Sequence, residues 1–363
     1  MREQLKREAP RLLGKSQTPP SSLVPQVLDP RTLWACTTCR ACEEQCPVGV
    51  NYLDSIVGLR RNLVLMRGEA PPELHRVFDG MERNFNPWNF PKSERGKWAN
   101  GLDVPLLSEV EHVDYLYWVG CAASYDERGK SIARAMARLM KRAGASFAIL
   151  GAEERCTGDS ARRAGNELLF LQLAEQNIEL LNRYQSQHKF SEIVTTCPHC
   201  LHTLSREYRD LGANFAVVHH SVLLSQWLKE GRLQPNRAVA QSAVFHDPCT
   251  LARYAGITRE PRAVLSALPN IQLREPLHHR RNTLCCGAGG AQMWLEEQNQ
   301  HRMHVARAKE LLDTEAEQVV SGCPFCATML TDALGDLGPL GNSSGFRVRD
   351  LAELLDMATA EAP

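Results

Sequence analysis

Ala243-Val-Phe-His-Asp-Pro-Cys249, then Cys285-Cys-Gly-Ala-Gly-Gly290, then Gln318-Val-Val-Ser-Gly-Cys-Pro-Phe-Cys326 form the stretch from which the rest of the 363-residue chain can be read. Ala243 to Phe245 and Gln318 to Ser321 are short apolar runs of strand type, each leading to a cysteine group, and a helical pattern generally comes next. Strands and helices alternating in this way build a parallel sheet, in which successive strand ends lie along one edge. That edge gathers Cys249, Cys285, Cys286, Cys323 and Cys326, although 35 residues separate Cys249 from Cys285 and 36 separate Cys286 from Cys323. Five thiolates exceed the four that tetrahedral zinc or an ordinary 4Fe-4S cubane takes. The excess, with two ligands from adjacent residues, points to a cluster whose irons are not all equivalent. In Cys323-Pro-Phe-Cys326 a proline at the first helical position and the free amides of a helix start favour thiolate over thiol, the form that iron needs.

The pattern occurs twice. Tyr115-Leu-Tyr-Trp-Val119 is a strand leading to Gly120-Cys121; a helix over Arg128 to Ala143 and a strand over Phe147 to Leu150 come before Cys156-Thr-Gly158. A helix over Ala161 to Arg183 and a strand over Glu192 to Thr196 then lead to Cys197-Pro-His-Cys200. Intervals of 34 and 40 residues between the groups nearly match the later ones and identify an internal repeat. In the first copy the doublet has become Cys156-Thr157, so Cys121, Cys156, Cys197 and Cys200 remain. Four thiols suit a cubane cluster, a zinc ion, or a vestigial site kept for packing.

Upstream, Cys36-x2-Cys39-x2-Cys42-x3-Cys46-Pro47 has the bacterial ferredoxin spacing and predicts a 4Fe-4S cluster, with zinc as the weaker alternative. In two-cluster ferredoxins the first three cysteines of such a run hold one cluster and the fourth holds the other. A second run is therefore expected, and this sequence does not contain one. Three resolutions stay open: Cys46 completes the local cluster, another subunit supplies the missing thiol, or the chain has lost an upstream run. Around this motif the expected organisation is α/β: a helix and Pro/Ser/Gln linker over 1–32, a small helical ferredoxin-like domain over 33–107, and two repeated cysteine-rich modules over 108–235 and 236–363. The helical domain includes an amphipathic segment, Asp54 to Val64, and a turn-rich connector, Phe85-Asn-Pro-Trp-Asn-Phe-Pro-Lys92, whose aromatics read as packing.

With 42 basic and 42 acidic residues the formal charge is zero, which gives no sign of nucleic acid or an anionic membrane surface as partner. No run of about 18 apolar residues occurs, and the charged start MREQLKREAPRLLGK lacks the apolar core of a secretion signal. The sequence thus reads as cytoplasmic, held at the inner face of the cell membrane if a partner anchors it there. Thirteen cysteines in a reducing compartment are metal ligands before they are disulfides. Gly287-Ala-Gly-Gly290 is expected to bring backbone close to an inorganic core and aim amides at its sulfides, ahead of a helix from Met293 to about Asp313. Phosphate binding is the rival, but neither a P-loop nor a dinucleotide fingerprint is present, and no nucleotide site is predicted. A Gly/Asn/Ser loop, a strand over Phe346 to Val348 and a helix over Leu351 to Ala358 close the chain.

Among the histidines, His219 and His220 follow the apolar run Phe215 to Val218 and read as the cap of a strand. His199, between two cysteines, is placed to tune a cluster by a hydrogen bond. His246 and Asp247 are the candidates for proton handling at the five-cysteine site, the alternative being a purely structural turn.

These residues resemble a known family. A cysteine, a gap of about 35 residues, Cys-Cys-Gly, a like gap and Cys-x-x-Cys make the cysteine-rich (CCG) module found twice in heterodisulfide reductase subunits and related iron–sulfur oxidoreductases. Cys249, Cys285, Cys286, Cys323 and Cys326 match it fully, and the resemblance implies that they ligate a non-cubane 4Fe-4S cluster. Cys121, Cys156, Cys197 and Cys200 match the first copy with one cysteine lost. Trp34-Ala-Cys-Thr-Thr-Cys39, Asn86-Pro-Trp88, Cys156-Thr-Gly-Asp159, Cys197-Pro-His-Cys200 and His246-Asp-Pro-Cys249 are most similar to the heterodisulfide reductase D-like oxidoreductases associated with electron-transferring flavoproteins. The likeness runs from about Leu33 to the C-terminus. Such proteins usually carry an upstream membrane segment and a first ferredoxin run. The resemblance therefore implies a truncated chain or a membrane-bound or ferredoxin-like partner subunit, with Cys36, Cys39 and Cys42 holding one cluster and borrowing a fourth ligand.

The activity implied is electron transfer between a flavoprotein and a quinone or a thiol/disulfide substrate, the disulfide taking two one-electron deliveries at the five-cysteine cluster. Two other classes compete with it. One is a relay subunit of a glycolate, lactate or glycerol phosphate dehydrogenase with no substrate of its own. The other is a zinc-stapled interaction protein, against which the fifth cysteine argues.

Overall fold

The structure is a computed structural model and describes residues 2–18, 21–296, 302–338 and 346–360. Among the described residues eight strands form two sheets: β1 (Val113–Trp118), β2 (Phe147–Ala148), β3 (Phe190–Thr195) and β4 (Val217–His219), then β5 (Ser242–His246), β6 (Gln272–Arg274), β7 (Gln318–Ser321) and β8 (Arg347–Asp350). Their orders, β2-β1-β3-β4 and β6-β5-β7-β8, are the same, and every pairing is parallel. The repeat read from cysteine spacing is thus a repeat of topology. Central strand β5 is buried at every residue, as expected where helices cover both faces of a parallel sheet. In each sheet the chain goes from its first strand to one neighbour and then crosses to the other side. The loops after β1 and β3, and after β5 and β7, therefore diverge and open a crevice at the carboxyl ends of the strands.

The two sheets share a core. Tyr117, Val194, Phe245, Val320, Leu351 and Leu355 belong to one buried cluster. Helix Glu127–Arg142 of the first module packs on helix Leu351–Thr359 of the second. Arg138 and Arg142 both pair with Asp356 there, and Arg128 pairs with Glu353. His219 does end a strand, as expected, but neither it nor His220 is at all exposed. Both reach across the modules: His219 Nε2 lies 3.1 Å from the Gly322 carbonyl and His220 Nε2 lies 2.9 Å from Asp350.

Several local expectations change. The helix expected over Ala161 to Arg183 is two, Asp159–Arg163 and Glu167–Ser186. It breaks at Gly165 (φ +86°), where a Cβ would sit 2.5 Å from the Arg60 carbonyl carbon, so the break admits the N-terminal helix Leu53–Arg61. The helix expected from Met293 starts only at Met303 and runs to Leu312; Gln292–Trp294 is a single 3-10 turn, and residues 297–301 lie outside the described residues. The Gly/Asn/Ser loop also lies outside them. Strand β6, Gln-Leu-Arg, leaves no mark in the sequence because a three-residue edge strand has too little alternation to register. Among the described residues no helix is long and apolar enough to cross a membrane.

Candidate metal centre

In the second module the strand ends deliver the thiols. Cys249 follows β5, Cys323 follows β7 at the start of helix Pro324–Asp336 with Cys326 in its first turn, and the doublet arrives on the loop after β6. All five cysteines are buried. Cys286 Sγ and Cys326 Sγ are 3.2 Å apart, and Cys285 interacts with Cys249, Cys286 and Cys39. The Gly287 amide donates to Cys285 Sγ at 3.3 Å. Hydrogen bonds from Cys285 and then Cys326 hold the Cys286 thiol well below its ordinary range. Burial pushes the Cys323 thiol up, but bonds from Cys197 and Cys326 outweigh it and bring it to about 6.

His246 stands at the same place. Its ring and the Cys286 and Cys326 sulfurs offer ligand atoms all within 4.8 Å of one another. Arg307 Nε donates to His246 Nδ1 at 3.0 Å, while Nε2 has no partner. Burial, reinforced by the Arg307 charge, holds the imidazole well below its ordinary pKa. Asp247 is occupied differently: its two oxygens take Arg262 at 2.8 Å each, and Oδ2 also takes the Arg280 amide at 2.6 Å. That is the arrangement of a structural turn.

In the first module Cys121, Cys156, Cys197 and Cys200 line one small cavity with Trp118 and, from the second module, Phe325. Arg95 donates to Cys121 Sγ at 3.3 Å and pairs with Glu154 at 2.8 Å, both side chains being 2% exposed. Glu154 also accepts the Val119 and Gly120 amides. Burial raises the Cys121 thiol, yet its bond with Cys156 and the Arg95 charge hold it at about 7. Cys197 interacts with Cys323, so the two sites meet sulfur to sulfur. His199 bonds to Asp159 at 3.0 Å and to Thr250, beside Cys249, at 3.5 Å; neither of these partners is a cysteine. The connector aromatic Trp88 stacks on Phe325 at 6.2 Å and meets Trp294 edge-on at 4.8 Å.

The N-terminal run lies against the second module. Cys39 touches Cys285, and the Arg253 guanidinium donates to the Cys39 carbonyl at 3.0 Å. Cys46 is set apart: its sulfur takes the Val50 amide at 3.4 Å, and that amide, with Val48 and Gly49, lowers its pKa. Gly289 and Gly290 let the run approach closely. A Cβ on either would lie 2.3 Å from the Thr37 or Cys36 carbonyl oxygen. Arg60, fully buried, donates to the carbonyls of Leu33, Cys36, Arg163 and Gly290, tying the run to both modules.

Arg60, Arg95, Glu154 and Arg307 were missed in the sequence. Only Arg60 left a signal: it occupies the buried stripe of its helix with Leu53 and Val57, where a charge needs partners. The donor set fits iron–sulfur groups, being soft thiolates with amide and guanidinium N–H groups aimed at sulfur. Zinc would draw four sulfurs to about 3.8 Å from one another, given bonds of about 2.3 Å. Among the described residues, no three of the first-module sulfurs lie mutually within 4.8 Å.

Comparison with known proteins agrees with this chemistry. A family model described as a cysteine-rich domain (CCG) matches residues 115–205 and 243–331. The chain is 41% identical over 318 residues to the probable iron-sulfur-binding oxidoreductase FadF of Bacillus subtilis (strain 168), covering 86% of this chain and 44% of that protein. It is 39% identical over 346 residues to the EtfAB:quinone oxidoreductase of Syntrophomonas wolfei, covering 92% and 47%. Identity to a subunit of the dihydromethanophenazine:CoB--CoM heterodisulfide reductase of Methanosarcina barkeri is 28% over 352 residues, covering 95% and 81%. The chain spans about half the length of the first two relatives. With two copies of the module, each at the carboxyl edge of its own parallel sheet, the chain carries a pair of cysteine-rich (CCG) domains and is similar to the heterodisulfide reductase D-like iron–sulfur oxidoreductases.

Proposed function

We propose that this protein carries electrons between a flavoprotein and a quinone or thiol/disulfide acceptor, as one part of a larger complex. The observation that carries the reading is a continuous line of thiols. Cys39 of the N-terminal run touches Cys285, Cys286 touches Cys326, and Cys323 touches Cys197 of the first module. Cys36, Cys39 and Cys42 are assigned to a 4Fe-4S cluster, and Cys249, Cys285, Cys286, Cys323 and Cys326 to a non-cubane one. Cys121, Cys156, Cys197 and Cys200, gathered at one cavity, are assigned to a third site that takes a 4Fe-4S cluster or zinc. Cys46, with its own set of amides, is assigned to a further cluster completed by a ferredoxin-like segment from outside this sequence. Relatives of about twice the length support that assignment.

When bound, the clusters supply one-electron redox chemistry. The residues of the chain hold and bias them. Arg95 places a positive charge on Cys121, and the Gly287 amide neutralises part of the charge on Cys285. Arg60, Gly289 and Gly290 press the N-terminal run onto the doublet loop and so keep the distance between the first two sites short. The test is anaerobic iron and zinc quantitation with EPR on the wild type and Cys286→Ala. At least about eight irons per chain are expected, with loss of one distinct signal and retention of the ferredoxin-type one. Zinc dominating after anaerobic reconstitution would sink the proposal.

A further inference from the structure

We infer that His246 is the Nε2–H donor to the Cys286 or Cys326 sulfur when the cluster is bound, that Arg307 locks it in that role, and that it is not itself a metal ligand. The inference rests on the five-cysteine cluster proposed above. A guanidinium has only donors, so the 3.0 Å contact from Arg307 Nε takes the Nδ1 lone pair of His246. A neutral imidazole then carries its single proton on Nε2. That nitrogen has no in-plane lone pair for a metal, and as a buried donor it needs an acceptor. It has no hydrogen-bond partner, and His246 is not exposed at all. The Cys286 and Cys326 sulfurs are within 4.8 Å of a His246 ring nitrogen, and Nδ1 is already occupied. Arg307 cannot turn away, because its Nη1 bonds the His278 carbonyl at 2.9 Å and Glu310 at 2.6 Å.

The first module supplies an internal control. Counted from the cysteines, Trp118 precedes Cys121 by the same interval as His246 precedes Cys249, and both residues end the first strand of their sheet. Thr157 stands where Cys286 does. The copy without the fifth cysteine is also the copy without the imidazole, as it should be if the histidine serves the sulfurs that lie within 4.8 Å of it. An N–H donor disperses charge on a ligand sulfur and favours the reduced, more electron-rich state, so His246 makes this cluster easier to reduce.

The test is a potentiometric EPR titration with iron content and nitrogen hyperfine coupling, on the full chain reconstituted anaerobically. The variants are His246→Leu, His246→Gln and Arg307→Met. His246→Leu is expected to keep its iron and move the midpoint of the five-cysteine signal to more negative potential, leaving the N-terminal signal in place. The amide of His246→Gln restores much of the shift, and Arg307→Met gives a smaller shift of the same sign. Loss of iron in His246→Leu, or strong nitrogen coupling in the wild type, would make the histidine a ligand and overturn the inference. An unshifted midpoint at full iron content would make it a space-filler and do the same. If Cys286→Ala changes no signal, the reading of the site itself falls and takes this inference with it; the earlier outcomes leave that reading intact.

Discussion

In the first module a guanidinium, Arg95, donates directly to a cysteine sulfur, and an indole, Trp118, ends the strand. In the second an imidazole, His246, stands at that position, and the nearby guanidinium, Arg307, reaches the imidazole instead of a sulfur. The sheets are equivalent in strand order, and the cysteines sit at equivalent strand ends. What differs is the origin of the charge. Arg95 comes from the turns between the aromatic connector and the first sheet, just after Lys92–Glu94, whereas Arg307 comes from a helix, Met303–Leu312, within the second module. The fold fixes where sulfur goes, because the strand ends at a topological switch point lie side by side at the mouth of one crevice whatever the side chains. The polarity around the sulfur is set separately, by single residues that the repeat does not dictate.

The comparison can be broken most sharply at Thr157, which is 2% exposed and holds the place of the missing cysteine. Thr157→Cys should roughly double the EPR intensity of the five-cysteine signal, because a sulfur of similar size then completes the ligand set. An unchanged intensity would mean that cysteine count is not what separates the modules. Removing the imported charge comes next. Arg95→Met leaves Glu154 buried without its partner and should cost about 3 kcal/mol in anaerobic denaturant unfolding. A loss within a few tenths of a kcal/mol would show that the Val119 and Gly120 amides satisfy Glu154 alone.

The smallest effect concerns the seam between the modules. Burial, and then the neighbouring His220, hold His219 well below its ordinary value of 6.5. The folded chain therefore binds fewer protons there than the unfolded chain. Its contribution to stability is full above pH 6.5 and is lost as the pH falls below that value. The slope is up to about 1.4 kcal/mol per pH unit. His219→Gln should flatten the pH dependence of the denaturation midpoint between about pH 6.5 and 5. A slope identical to the wild type would place the acid sensitivity elsewhere.

Much of this protein was determined by sequence alone. Cysteine spacing is a local property, so the Cys36 to Cys46 run and the Cys-x-x-Cys pairs were legible as candidate ligands without coordinates. The parallel sheets followed from apolar runs placed before each cysteine group, since a strand buried on both faces is largely apolar. The edge strand β6 and the late start of the helix at Met303 escaped, because a short polar strand and a turn before a helix leave no periodicity to detect. Tertiary structure alone decided which groups face sulfur. Arg95 reaches Cys121, Arg307 reaches His246, and Gly289 and Gly290 meet Thr37 and Cys36 only because chain segments distant in sequence are packed to within a few ångströms. Hydrogen bonding and desolvation act over that range. They are set by neighbours in space, which a linear chain does not name.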